Sequence, residues 1–153
     1  MSAVLKDVPE LEPMRESDLA EVLAIENATY THPWTLGNFA DSLRAGYDCR
    51  TWRVNGELLG YFILMAAAGE AHLLNLSIAE RHQRRGHGSA LLQEAAGLAR
   101  SRGAKNMFLE VRPSNQQAQS LYARFGFRKI AVRRDYYPAH FGREDALVFS
   151  LAL

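Results

Sequence analysis

The chain lacks several features that would each point to a different kind of protein. It has a single cysteine, Cys49, which excludes an internal disulfide and any thiolate-rich metal site. Its five histidines are scattered, and no pair has a ligand spacing such as His-Glu-x-x-His, so no resident metal is expected. Charge of neither sign prevails: 18 basic residues stand against 17 acidic ones, for a net charge of +1. That balance implies no broad basic face for direct nucleic-acid binding. The longest apolar run, Leu58 to Ala68, is too short to span a bilayer and reads as a buried strand. The N-terminus carries Lys6 and Asp7 but no apolar core, so neither a signal peptide nor a membrane partner is expected. Repeats and low-complexity segments are missing too. A cytoplasmic chain long enough for one domain with a substantial core fits these absences.

The periodicities then lay out an order of elements. A short strand spans Leu11 to Arg15, and Ser17 or Asp18 caps a helix from Leu19 to Asn27. Thr31-His32-Pro33-Trp34 interrupts it, and a second helix runs from about Thr35 to Arg44. Arg50 to Val54 and Leu58 to Ala67 are strands joined at Asn55-Gly56, a dipeptide suited to a type I′ hairpin because both residues need positive φ. His72 to Ile78 is the fourth strand, Gly86 to Arg102 a long helix closed by Gly103, and Asn106 to Val111 the fifth strand. Ser114 or Asn115 caps a fourth helix ending at Phe125, and Phe127 to Val132 and Ala146 to Leu151 are the last strands. The loop between them is expected to hold Tyr136-Tyr137-Pro138. A helix between the fourth and fifth strands implies a parallel crossover, while the other pairs can be antiparallel. The fold class is therefore α/β (α+β), with a mixed sheet flanked by helices. Ligands bind such sheets where the strands diverge, here the fourth and fifth.

What the chain does have is Gln83-Arg84-Arg85-Gly86-His87-Gly88, between the apolar run Leu73 to Ile78 and the helix opening at Ser89. Strand, glycine-rich turn and helix in that order aim backbone N–H groups and the positive end of a helix dipole at one point. Such a turn binds phosphate, and two arginines beside it suit a pyrophosphate. A tight turn with a solvated basic rim would look the same. The third glycine of a dinucleotide fingerprint is absent, and no Gly-Lys-Ser/Thr of a P-loop follows.

Acyl transfer to an amine would need a group to take the amine's proton, donors for the oxyanion, and a proton for the leaving thiolate. Glu110 ends the fifth strand among apolar residues, an environment expected to raise its pKa and to suit a base acting directly or through water. It could equally be a solvent-face glutamate paired with Arg112. Tyr122 has a hydroxyl able to serve a thiolate, though packing beside Leu121 and Phe125 would also account for it. Asn115 is a helix cap or a cofactor contact. Cys49 lies in the second-strand region, so no nucleophile is well placed and direct transfer through a ternary complex is expected.

Two blocks carry a resemblance to a known family. Gln-x-x-Gly-x-Gly opening a helix resembles the acetyl-CoA pyrophosphate loop of the GNAT N-acetyltransferases. Asn115, Ala118, Leu121, Tyr122, Gly126 and Phe127 fill that family's second block, Asn-x-x-Ala-x-x-Leu-Tyr-x-x-x-Gly-Phe. Pro33-Trp34, Leu109-Glu110-Val111-Arg112, Arg133 to Pro138 and Gly142 to Ala146 are similar to the branch that acetylates an N-terminal alanine on a small-subunit ribosomal protein.

The resemblance implies a single GNAT domain over residues 9–153 behind a flexible tail, residues 1–8. Its fold would be a mostly antiparallel seven-stranded sheet flanked by four helices and splayed between the fourth and fifth strands. It implies acetyl-CoA as donor and the N-terminal segment of a ribosomal protein as partner, with the chain itself a monomer or weak oligomer. Glu110 would be the proton acceptor and Tyr122 the proton donor. Leu76, Ser77 and Ile78 would pair with the pantetheine, and Arg84, Arg85, Gly86, His87, Gly88 and Ser89 would cradle the pyrophosphate, with Asn115 as a further contact. Trp34, Tyr136 and Tyr137 would flank the acceptor peptide. A lysine or small-molecule acceptor, or a non-catalytic acyl-CoA-binding module, are the alternatives.

Overall fold

The computed structural model describes residues 8–153. Of the expected tail, residues 1–7 lie outside the described residues, and Val8 is exposed. The elements are β1 (Glu10–Pro13), α1 (Leu19–Thr29), α2 (Leu36–Arg44), β2 (Asp48–Val54), β3 (Glu57–Ala67), β4 (Glu70–Ile78), α3 (His87–Ser101), β5 (Asn106–Val111), α4 (Gln116–Phe125), β6 (Arg128–Pro138) and β7 (Arg143–Ala152). The strands form one seven-stranded sheet in the order β1-β2-β3-β4-β5-β7-β6. β4 and β5 pair in parallel, as the crossover through α3 requires, whereas β1 with β2, β5 with β7, and β6 with β7 are antiparallel. The parallel register covers only Glu70–His72 against Asn106–Phe108. The chain divides into two compact units: one runs up to Ile63 and adds Asn75–Glu94, the other comprises Leu64–Leu74 and Ala95–Leu153.

In the first unit, local chemistry explains most boundaries. Thr35 Oγ1 accepts from the Asn38 N–H at 3.1 Å while Asn38 Oδ1 accepts from the Thr35 N–H at 3.0 Å, a reciprocal cap that starts α2. α1 starts differently from expectation. Neither Ser17 nor Asp18 caps it; a 3-10 turn, Glu16–Asp18, leads into it. The Asp18 carboxylate accepts from the Arg15 N–H at 2.8 Å and pairs with Arg53 at 2.9 Å, so it is already engaged. Asn55 (φ 50°) and Gly56 (φ 80°) make the expected hairpin. Residues Leu58 to Leu64 of β3 are buried one after another, so both faces of this strand are covered, which is why its sequence does not alternate. Gly60 matters here for a different reason. A Cβ there would lie 2.4 Å from the Ser77 carbonyl oxygen and 2.8 Å from Ile78 Cδ1.

In the second unit, β5 alternates cleanly: Met107, Leu109 and Val111 are buried, with Phe108 and Glu110 on the other face. Asn115 Oδ1 accepts from the Ala118 N–H at 3.1 Å to cap α4, and Gly126 at φ 120° ends it. Ala68 (φ 54°) and Gly69 (φ 78°) form a turn between β3 and β4 that the sequence reading did not single out. The largest correction concerns Tyr136-Tyr137-Pro138, expected in a loop. β6 runs through them to Pro138: the register breaks between Arg133 and Tyr137, where Asp135 takes φ 52°, then resumes with Tyr137 opposite Glu144. A bulge of this kind lets a strand absorb an irregular segment and re-aim its side chains.

Gly60→Ala is expected to cost about 1–3 kcal/mol, because β4 must move away from an over-filled contact. Thermal unfolding would show this as a drop of several degrees; an unchanged Tm would mean that β4 yields freely.

Candidate active site

The glycine turn lies in the first unit. After β4 ends at Ile78, a 3-10 turn, Glu80–His82, leads to Gln83, whose side-chain amide donates back to the Ile78 carbonyl at 3.0 Å. Arg84 (φ 63°) and Gly86 (φ 80°) both take left-handed backbone. A Cβ on Gly86 would meet no atom within 4 Å, so its freedom serves the backbone turn and not packing. The Ala90 N–H donates to the Gly86 carbonyl at 3.2 Å, so the N–H groups of His87, Gly88 and Ser89 precede the first helical bond of α3. Arg84 and Arg85 are exposed beside them. These donors and cations fit a pyrophosphate. His87 lies edge-on to Trp52 at 5.6 Å, and burial together with His82 and Arg85 lowers its pKa, so the fixed positive charge comes from the arginines.

The strand leading to the turn is anchored by a buried polar network in the same unit. Ser77 is buried, and its hydroxyl contacts the Tyr30 hydroxyl at 2.8 Å and donates to Asn75 Oδ1 at 2.9 Å. The Tyr30 hydroxyl also lies 3.2 Å from the Leu76 carbonyl. The Ser77 side chain is thus engaged within the protein. The network centres on Glu26 of α1, a carboxylate 2% exposed. It accepts from the Tyr61 hydroxyl at 2.7 Å, Asn75 Nδ2 at 3.0 Å and the Trp34 N–H at 2.9 Å. Burial pushes the Tyr30 phenol up to about 12 and raises that of Tyr61 further, so both remain protonated donors. The sequence reading missed Glu26, although its spacing from Leu19 and Val22 puts it on the buried stripe of α1. Trp34 itself packs on Phe39, with ring centres 5.1 Å apart. Cys49 is buried with its thiol pushed up to about 11, which leaves it unreactive.

The second unit carries Glu110, Tyr122, Tyr136 and Tyr137, and for Glu110 one expectation is reversed. Glu110 Oε2 is hydrogen-bonded to His72 Nε2 of β4, and its Oε1 accepts from Arg133 at 3.2 Å. The expected rise in its pKa does not occur. Burial pushes that way, but the bonds and charges of His72 and Arg133 outweigh it and hold the carboxyl below its usual range. Arg112 does not pair with Glu110. It donates to the Pro138 carbonyl at 2.7 Å, pairs with Glu144 at 3.2 Å, and lies 4.3 Å from the Tyr137 ring centre. Glu144 also accepts from the Ser114 N–H at 2.9 Å and hydroxyl at 3.0 Å. Arg133 covers Tyr136 at 4.7 Å, and Tyr136 meets Tyr137 edge-on at 4.8 Å. Burial, then the charge of Glu110, raises the Tyr137 phenol. His72, Arg112, Arg133 and Glu144 were not singled out in the sequence as site residues. Only sheet pairing brings them together.

Tyr122 is buried against Phe127 at 5.6 Å and Phe149 at 6.4 Å. Phe149 is the register partner of Leu109, so Tyr122 lies on the Leu109 face of β5 and Glu110 on the opposite one. Asn115 serves as the α4 cap. A groove of about 680 Å³ in the first unit, lined by α1, Leu58 and Ala79–Arg81 among others, contains none of the expected site residues. Among the described residues, no helix is long and apolar enough to cross a membrane.

The profile of the Acetyltransferase (GNAT) family matches residues 19–127, and the chain belongs to that family. It is an N-acetyltransferase that uses acetyl-CoA. The ribosomal protein bS18-alanine N-acetyltransferase of Escherichia coli (strain K12) is 34% identical over 140 residues, covering 92% of this chain and 95% of that protein. The enzyme of the same name from Haemophilus ducreyi is 32% identical over 144 residues, covering 94% and 99%. The crystal structure of the ribosomal-protein-S18-alanine N-acetyltransferase from Escherichia coli superposes with a TM-score of 0.86 at 32% identity, covering 95% of this chain and 94% of that one.

Glu144 has a lowered pKa, since the bonds from Ser114 and Arg112 outweigh a burial effect that would raise it. A carboxylate lowered on folding adds stability above its unfolded pKa of about 4.3, and that stability disappears as the pH falls through the lower folded value. Glu144→Gln should therefore melt below wild type at pH 7, with the difference closing in thermal scans as the pH falls below the ordinary carboxylate range. A difference that persists unchanged in acid would contradict the ion pair with Arg112.

Proposed function

We propose that the protein transfers acetyl from acetyl-CoA to the α-amine of an N-terminal alanine on the small-subunit ribosomal protein bS18, in the cytoplasm. The observation that carries this is the near full-length likeness to enzymes named for that reaction. The second unit supplies matching chemistry. An N-terminal α-ammonium is a cation that must lose a proton before its nitrogen has a lone pair to donate. Glu110, held ionised, attracts that cation and takes the proton. The freed nitrogen attacks the thioester carbonyl carbon, and backbone N–H groups of Leu76 to Ile78 polarise its oxygen. The C–S bond then breaks, sulfur leaves with the electron pair and takes a proton from the Tyr122 hydroxyl, and the new amide nitrogen releases its surplus proton to solvent. Tyr122 is reprotonated from solvent and Glu110 releases its proton to solvent, so the net products are amide, CoA thiol and one proton. Arg84 to Ser89 hold the pyrophosphate and Asn115 adds a contact. The aromatic faces of Trp34, Tyr136 and Tyr137 flank the acceptor's first residues.

Two peptides test the acceptor: one starting with alanine, the other N-blocked and containing lysine. Acetylation of the first is expected, and transfer to the blocked peptide alone would overturn the α-amine assignment. Glu110→Gln and Tyr122→Phe should each lower kcat by about 100-fold, the usual scale of a lost acid or base. CoA affinity should stay within about twofold, an allowance well inside the roughly tenfold change that each 1.4 kcal/mol brings. Turnover unchanged in both variants would remove those roles.

A further inference from the structure

The glycine turn has little with which to hold its own shape. In Gly86-His87-Gly88 the two glycines leave the backbone free, and Gly86 already takes φ 80°. A cradle that becomes ordered only on binding loses ligand affinity to its own ordering. Arg84, Arg85 and Gly86 are exposed, so the turn has to be fixed from its two ends. At its start the Gln83 amide donates to the Ile78 carbonyl at 3.0 Å. At its far end stands His87, the first residue of α3 and the one side chain between the two glycines.

The His87 ring rests on neighbours from two other stretches of the same unit. Its centre lies 5.6 Å from that of Trp52, at an interplanar angle of 79°, and 6.3 Å from that of His82, at 77°. Trp52 is 3% exposed and sits in β2 opposite Leu11 of β1, so the sheet fixes it. The Trp52 indole N–H is buried with no hydrogen-bond partner among the described residues. Packing therefore places the indole, and what it offers the turn is ring surface. Burial, then His82 and Arg85, lowers the His87 pKa, so the imidazole meets the indole uncharged at neutral pH.

The geometry points to Trp52 as a positioning residue for the donor substrate, acting through His87. The indole holds the imidazole, and the imidazole holds the backbone between the two glycines. The N–H groups of His87, Gly88 and Ser89 then meet the pyrophosphate already ordered. The His87 ring is an anchor and not a phosphate ligand; its contribution to the cradle is its backbone. This inference rests on the pyrophosphate role proposed for the turn.

The test is CoA affinity, measured by calorimetry for wild type, Trp52→Leu, Trp52→Phe, His87→Ala and the double variant of Trp52→Leu with His87→Ala. Leaving one backbone residue of the turn to be ordered on binding weakens affinity by about tenfold. Trp52→Leu and His87→Ala should each lose about that factor, and the double variant about the same, because both changes remove one contact. A loss of about a hundredfold in the double variant, the product of two independent effects, would overturn action through His87. Affinity within about twofold of wild type in Trp52→Leu would overturn the positioning role. Trp52→Phe keeps a ring against the imidazole and should recover most of the affinity; a loss equal to that of Trp52→Leu would overturn the ring contact. With the alanine-starting peptide, Trp52→Leu should raise KM for acetyl-CoA by about tenfold and keep kcat at saturating acetyl-CoA within about twofold. A fall in kcat with KM unchanged would contradict a role confined to binding. Should Trp52→Leu fail to fold, CoA-free wild type still decides. The amides of Gly86, His87 and Gly88 should show 15N order parameters of about 0.85, and values below about 0.6 would overturn a turn held in advance. Wild type that binds no CoA would overturn the cradle and this inference with it, whereas equal binding by every variant would overturn this inference alone.

Discussion

A buried carboxylate has to be solvated by the protein itself, and in the first unit that requirement falls on Glu26. Its three donors come from separate stretches of chain: Tyr61 in β3, Asn75 in β4 and the backbone of Trp34 before α2. Removing any one would leave a buried carboxyl oxygen short of a donor, so the three stretches are fixed to α1 together. Asn75 in turn accepts from Ser77, and Tyr30 reaches both Ser77 and the Leu76 carbonyl. The strand end expected to carry the donor substrate is therefore positioned by polar bonds on one side and, at Gly60, by close backbone packing. This division suits a binding strand. Its side-chain polar groups are consumed in holding position, which leaves its backbone for a ligand.

The second unit uses charge in the opposite way, near the surface and in pairs. Arg112 and Arg133 each join a carboxylate to an aromatic ring: Arg112 links Glu144 with Tyr137, and Arg133 links Glu110 with Tyr136. The guanidinium plane suits both partners at once, which lysine cannot reproduce. Through these links the bulged segment of β6 is set against the end of β5. Arg143 adds bonds to the Asp135 and Tyr136 carbonyls, closing a stretch whose strand register is broken. The bulge is thus supported by side chains where the ladder is not available to hold it.

Local signals explain how much of this was readable in the chain. Asn55-Gly56, Asn115, Gly103 and Gly126 each act through a turn or cap whose chemistry spans a few residues, and the structure uses each as read. The glycine turn from Gln83 to Gly88 is equally local. Glu110 was found by position, but the direction of its pKa was misread, because its neighbours in sequence are apolar while its neighbours in space are His72 and Arg133. His72 lies thirty-eight residues away along the chain and Arg133 twenty-three. No periodicity reports a contact of that kind. Tyr136 was placed in a loop because two tyrosines and a proline beside a charged run read as irregular, and the pairing that draws them into β6 comes from β7. Glu26 had a visible signal, a charge on an apolar stripe, whose meaning needed the donors from β3 and β4.

Under the base role proposed for Glu110, the amines themselves set which acceptor gives up its proton more readily. An α-amine has a pKa of about 8 and a lysine ε-amine about 10.4, so near neutral pH the α-amine is free base roughly a hundred times more often. A base kept weak by His72 and Arg133 extracts protons from either amine at a disadvantage, but the disadvantage is larger for lysine by the same ratio. The preference for chain termini over lysine side chains therefore comes from the amines' own basicity, whatever the pKa of the carboxylate that would serve them.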